Sequence, residues 1–203
     1  MSQKPDWLAP HGRPWTRGEV RCVYDNPWIR VTEETALAPT GQPALYGVVS
    51  FKNRALAVLP LHDDGSVVLV GQQRLPLGDY SWEIPEGGGP MAEDPLDGAK
   101  RELLEETGLA ASEWREVLRM QLSNSVTDEV AVGFLALGLA QAAEPEGDGT
   151  EDLAVVRVPF REALDAAMAG HIQDSLTVAM LLRGYHMARE GLLPDALARG
   201  MIG

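Results

Sequence analysis

Cysteine is nearly absent. Cys22 is the only one in 203 residues, so no intrachain disulfide can form, which fits a reducing compartment. With no histidine near it in sequence to make it a nucleophile, Cys22 is expected to be a buried or half-buried thiol. Long apolar runs are missing as well. The longest, Ala131 to Ala140, is far short of the ~20 residues that a membrane helix needs. The opening stretch MSQKPDWLAPHGRPW has no apolar segment that could act as a signal sequence, so the expected location is the cytoplasm. Basic residues are scarce, with 17 Lys and Arg against 30 Asp and Glu and a formal net charge of -13. Non-specific binding to nucleic acid is therefore expected to be weak. That acidity does not exclude a nucleotide substrate, because a divalent metal held by carboxylates reverses the sign of the local field.

What remains is an ordinary globular composition, 45% hydrophobic and 23% charged, in a chain long enough for one well-buried core. Residues 1–18 are rich in proline and polar groups. Val20–Tyr24, Trp28–Glu33 and Leu45–Val49 read as short strands punctuated by Asp25-Asn26-Pro27 and Pro39-Thr40-Gly41. Ala55–Leu61 and Ser66–Val70 flank the turn residues His62-Asp63-Asp64-Gly65, so a β-hairpin is expected there. Pro85 to Pro90 reads as a Gly-rich loop. After it, Asp94 can cap a helix, Pro95 fits its first turn and Gly108 can close it. Glu129–Leu137 and Val155–Val158 read as strands, and Arg161–Gly170 and Ser175–Glu190 as helices. This order indicates an α/β (α+β) layered domain.

The helix carries the chemistry. At about 100° per residue, Glu102 and Glu106 lie one turn apart on one stripe with Glu105 beside them, while Leu96, Ala99 and Leu103 form an adjacent apolar edge. Like charges at i, i+4 repel by a few tenths of a kcal/mol. A hard cation such as Mg²⁺, which takes oxygen ligands and shares them with substrate phosphates, turns that repulsion into binding. Arg101 can pair with a neighbouring carboxylate and hold it in place.

The whole segment, residues 87–109, resembles the Nudix box. Gly87, Glu93, Arg101, Glu102, Leu103, Glu105, Glu106, Gly108 and Leu109 fill every specified place of Gly-x5-Glu-x7-Arg-Glu-U-x-Glu-Glu-x-Gly-U, where U is aliphatic. The resemblance implies an α/β/α sandwich with a mixed sheet, a loop–helix–loop metal site and Mg²⁺, or Mn²⁺ in its place. Glu102 and Glu106 would be the metal ligands, with Glu105 assisting and the backbone carbonyl of Glu86 completing the set. Glu93 would steady the loop and Arg101. The implied reaction is hydrolysis of a pyrophosphate bond, giving a nucleoside monophosphate and a phosphorylated second product.

Over roughly residues 25–185 the chain resembles one group within that superfamily, the ADP-ribose and nucleoside diphosphate-sugar pyrophosphatases. Val70-Gly71-Gln72-Gln73-Arg74 is similar to that group's strand ending in Gln-aromatic-Arg, with Gln73 in the aromatic's place. Trp82-Glu83-Ile84-Pro85-Glu86-Gly87 is similar to its Glu-aliphatic-Pro-Ala-Gly approach to the box, and Gly170 to Ser175 to the start of its final helix. By this resemblance Arg74 and Glu83 would contact substrate, and Glu151 in the acidic loop Glu144–Asp152 would join the metal site. Residues 1–50 would form a small β-strand region that exchanges across a homodimer, with Trp28 stacking on the base, and residues 51–203 the Nudix domain.

Two departures bear on the substrate and the base. Some members place a catalytic-base glutamate two residues before the loop ligand, where this chain has Gly149, leaving Asp148, Glu146 or Glu151 itself, or the helix glutamates alone. The proline that marks many ADP-ribose hydrolases after the box is replaced by the stretch Ser123 to Glu129, which leaves other nucleotide sugars open. Two rival readings are a hydrolase of nucleoside triphosphates or dinucleoside polyphosphates, and a catalytically silent ligand-sensing domain. The N-terminal strands and the Gln-Gln-Arg segment disfavour the first, and the complete set of box glutamates disfavours the second.

Overall fold

The computed structural model describes residues 4–146, 149 and 152–203. The chain divides into two units. One comprises residues 1–52 with 123–128, and the other residues 53–122 with 129–203.

The N-terminal unit is an antiparallel meander of β1 (Thr16–Asp25), β2 (Ile29–Leu37) and β3 (Pro43–Phe51). Its first turn is set by Asn26, whose Oδ1 accepts from the backbone N–H groups of Trp28 (2.9 Å) and Ile29 (2.7 Å). The segment 123–128 belongs here because β3 holds it. Val49 N–H donates to the Val126 carbonyl (2.9 Å), Tyr46 Oη to the Ser125 carbonyl (2.6 Å) and Ser50 Oγ to Asp128 (2.7 Å). Among the described residues β1 is an edge strand, paired only with β2 and exposed along its whole length. Cys22 lies on it and is exposed, which corrects the expectation of a buried or half-buried thiol.

The second unit is built on two sheets. The four-stranded one has the order β7 (Glu86–Pro90), β4 (Asn53–Pro60), β9 (Val130–Gln141) and β8 (Leu109–Gln121), with β4 and β9 parallel and the other pairs antiparallel. The other has the order β10 (Ala154–Pro159), β5 (Ser66–Arg74) and β6 (Asp79–Glu83). Four helices follow the chain: α1 (Pro95–Thr107), α2 (Phe160–Met168), α3 (Ser175–Arg189) and α4 (Asp195–Ile202). This is the α/β layered architecture expected from the element order, with the mixed sheet that the resemblance implies.

The expected hairpin is corrected in part. The turn forms, with Gly65 N–H donating to the His62 carbonyl (2.9 Å), and it closes on a bridge between Leu61 and Val67. Beyond it the strands part into different sheets. Both edges of β4 are taken by β7 and β9, and both edges of β5 by β6 and β10, so neither has an edge left for the other. The Gly-rich segment 86–90, expected as a loop, is itself a strand, because its glycines let its backbone run against β4 from Asn53 to Ala57.

Alternation along β4 explains why both faces of its sheet are apolar. Leu56 and Val58 face one way with Val132, Phe134, Ala136 and the α1 residues Ala99 and Leu103. Ala57 and Leu59 face the other, with Phe160 and Leu164 of α2, Met180 and Leu181 of α3 and Leu197 of α4. Helix α1 is fixed end to end. Asp94 accepts from Leu96 N–H (2.8 Å), Pro95 starts the helix, and Gly108 (φ 69°) terminates it by donating to the Leu104 carbonyl. Leu103 is fully buried at the centre of this contact. Leu103→Ala is expected to destabilise the unit by about 2–5 kcal/mol in urea unfolding, through lost burial and the cavity left behind.

Candidate active site

β7 and α1 face each other, and two α1 carboxylates lie against the β7 backbone. Glu106, 3% exposed, accepts the backbone N–H of Glu86 at 3.0 Å. Glu102, 8% exposed, fills the space above Gly87 so closely that a Cβ on Gly87 would overlap its carboxylate. The glycine is thus a steric condition for this placement.

Arg101 clips the group together. Its Nη1 donates to Glu102 Oε1 (2.8 Å) and Glu105 Oε2 (3.0 Å), and its Nη2 to the Gly88 carbonyl (3.1 Å). Glu93 lies 3.8 Å from the same guanidinium and against Gly98. Glu105 is the most solvent-facing of the three helix carboxylates, with 43% of its side chain exposed. Burying carboxylates of like sign in adjacent turns is costly unless opposite charge or hydrogen bonds compensate. The donor set gathered here is all oxygen: Glu102, Glu105, Glu106 and the backbone of Glu86. Hard divalent cations take such sets, so these residues fit a metal of that kind.

A second cluster adjoins the first through Glu86. Arg74, at the end of β5, is ion-paired with Glu83 at the end of β6, its Nε lying 3.0 and 3.2 Å from the two carboxylate oxygens and its Nη2 also donating. The same Nη2 lies 3.2 Å from Glu86 Oε1. The Glu83 hydrogen bonds hold the Arg74 guanidinium more firmly protonated than usual. Burial pushes the Glu86 carboxyl well above its ordinary pKa, and the neighbouring Asp174 and Glu83 carboxylates add to this while Arg74 opposes it. Carboxylate oxygens of Glu83, Glu86 and Asp174 all lie within 4.8 Å of one another. They line a cleft of about 680 Å³ together with Arg74, Tyr80 and Trp82.

Of the residues singled out from sequence, Arg74, Glu83, Glu86, Arg101, Glu102, Glu105 and Glu106 are brought together in this unit by these contacts. Trp28 lies on the N-terminal unit, 66% exposed. Glu151 and Asp148 lie outside the described residues. Gly149 has φ +83°, a backbone conformation that favours glycine. Glu146 donates its N–H to the Glu105 carbonyl (3.0 Å), which ties the start of the acidic loop to α1. Asp174 was not singled out from sequence. It caps α3 by accepting from Thr177 N–H (2.6 Å), and its proximity to Glu83 and Glu86 depends on tertiary packing.

Comparison with known proteins places the chain in a family. Residues 51–177 match the NUDIX domain. The chain is 34% identical over 130 residues to the ADP-ribose pyrophosphatase of Mycobacterium tuberculosis strain H37Rv, a match covering 63% of each chain and thus under two thirds of that relative's length. It is 31% identical over 156 residues to the ADP-ribose pyrophosphatase of Bacillus subtilis strain 168, covering 76% of this chain and 84% of that one. The fold matches the crystal structure of an ADP compounds hydrolase with a TM-score of 0.79 and 20% identity, over 90% of this chain and 98% of that one. Sequence match and architecture agree: the chain belongs to the NUDIX domain family.

Proposed function

We propose that this protein hydrolyses the pyrophosphate bond of a nucleoside diphosphate derivative, ADP-ribose or a nucleotide sugar, using Mg²⁺ or Mn²⁺. The observation that carries this reading is the pair of buried carboxylates, Glu102 and Glu106, laid against the β7 backbone. The ADP-ribose pyrophosphatases among its relatives support the substrate class.

In this reading Glu102 and Glu106 hold the cation, with Glu105, the Glu86 carbonyl and the loop residue Glu151 completing its oxygen ligands. A cation held there supplies charge neutralisation at the two phosphates and a more acidic water. Glu105, the most exposed helix carboxylate, orients the attacking water and takes up its proton. Arg101 keeps Glu102 and Glu105 in position, and the guanidinium of Arg74 orients a phosphate beside Glu83. The N-terminal strands pair two copies into a homodimer in the cytoplasm, and Trp28 stacks on the base.

A panel of ADP-ribose, nucleotide sugars, dinucleoside polyphosphates and nucleoside triphosphates, assayed with Mg²⁺, tests the substrate class. Diphosphate derivatives should be turned over fastest, and a preference for triphosphates would refute the assignment. Glu106→Gln should lower turnover at least ~100-fold while the circular dichroism spectrum stays native, because a metal ligand is lost and the folded core is not. Gly87→Ala forces Glu102 off its place and should weaken Mn²⁺ binding, read by electron paramagnetic resonance, at least about tenfold. Native Mn²⁺ affinity in that variant would show that Glu102 does not hold the cation.

A further inference from the structure

Glu86 belongs to both halves of the site. Its backbone N–H fixes Glu106, while its side chain enters the cleft beside Arg74. One carboxylate oxygen, Oε1, lies 3.2 Å from Arg74. The other, Oε2, is buried and accepts no hydrogen bond among the described residues. A buried acceptor without a donor is an unfavourable state that a donor from a ligand would relieve. Arg74 does not relieve it, because its remaining contacts go to Glu83.

The surroundings decide which donor fits. Around Glu86 stand the Glu83 and Asp174 carboxylates, and with Asp79 the cleft is lined by four carboxyl groups beside Arg74 and His171, a lining rich in acceptors that suits a group bringing donors. A hydroxyl-bearing ring would donate to Glu86 once its side chain, which lines the cleft, turns the shielded Oε2 towards it. It would also find an apolar wall in Tyr80 and Trp82, whose rings meet edge to face at 5.6 Å. About 680 Å³ is ample for one sugar ring. The cleft also stands next to the carboxylates of α1, since one residue links the two, so a group attached to a phosphate held at Glu102 and Glu106 is delivered to it.

We infer that Glu86 is a specificity-determining residue, whose side chain selects a hydroxyl-bearing distal ring over a distal group without one. The inference rests on the pyrophosphohydrolase reading above and adds to it the basis of choice between substrates. Glu86→Ala is a mild change to the strand, because β7 is held to β4 by backbone pairing.

The test compares wild type, Glu86→Ala and Glu86→Gln at saturating Mg²⁺ on ADP-glucose and on the β-methyl ester of ADP, which keeps the pyrophosphate and lacks the ring. Wild type should prefer ADP-glucose. In Glu86→Ala the ratio of the two kcat/KM values should fall about tenfold, mainly through KM for the sugar, and Glu86→Gln, which keeps an acceptor oxygen, should restore most of it. Binding of α,β-methylene ADP-ribose should weaken in the same order, a readout that does not depend on turnover. An unchanged ratio with an active wild type overturns this inference alone. So does a loss in Glu86→Ala matched by a weaker affinity for Mn²⁺ alone, since the side chain would then act on the cation. A wild type silent on every diphosphate derivative overturns the hydrolase reading, and this inference with it.

Discussion

Two carboxylates of like sign, buried one helical turn apart, are the constraint around which the second unit is organised. Left to itself, such a pair would be driven to solvent. Here the surrounding elements hold it in place. β7 offers the Glu86 N–H to Glu106 and a bare Gly87 to Glu102, and Arg101 reaches across from the same helix to Glu102 and to the Gly88 carbonyl. The apolar contacts of Ala99 and Leu103 with Leu56, Val58 and Val132 set the rotation of α1 that aims this stripe at the strand. The core supplies the rigidity, and the polar contacts convert it into fixed positions for the oxygens.

The same logic accounts for the second cluster. β5 and β6 run antiparallel with Glu83 opposite Val70, and Arg74, further along β5, reaches back to Glu83 in a charge-assisted pair that is largely out of solvent. The residue before α3 adds Asp174, whose carboxylate also caps the helix. Three elements from distant parts of the sequence therefore converge on Glu86. That residue is the junction of a chemistry defined by the helix and a cleft defined by strand ends.

How much of this was legible in the sequence depended on how local the determinants were. Helix α1 was readable to the residue because Asp94, Pro95 and Gly108 act within one turn of its ends. The stripe of Glu102, Glu105 and Glu106 follows from helical periodicity alone. The chain after His62 was misread because a turn signal specifies the reversal and not the partner, and β4 and β5 each found two other neighbours. Leu109–Gln121 was not assigned any element. Its alternation is blurred by charged residues, and its pairing with β9 carries a register shift between Glu116 and Leu118. Asp174 is close to Glu83 only through packing across more than 90 residues of chain, which no local pattern encodes. Cys22 was misjudged for a related reason: exposure on an edge strand depends on which neighbours a strand lacks.

The six residues 123–128 have a consequence for how this protein can vary. They are inserted in the middle of the second unit's sequence, between β8 and β9, yet their hydrogen bonds to Tyr46, Val49 and Ser50 make them part of the first. The N-terminal unit is therefore discontinuous in the chain. It cannot be exchanged by a single recombination upstream of residue 53 without separating β3 from the segment that completes it. Any lineage that reshapes this unit must alter two distant stretches in concert, which ties the evolution of the N-terminal strands to that of the β8–β9 connection.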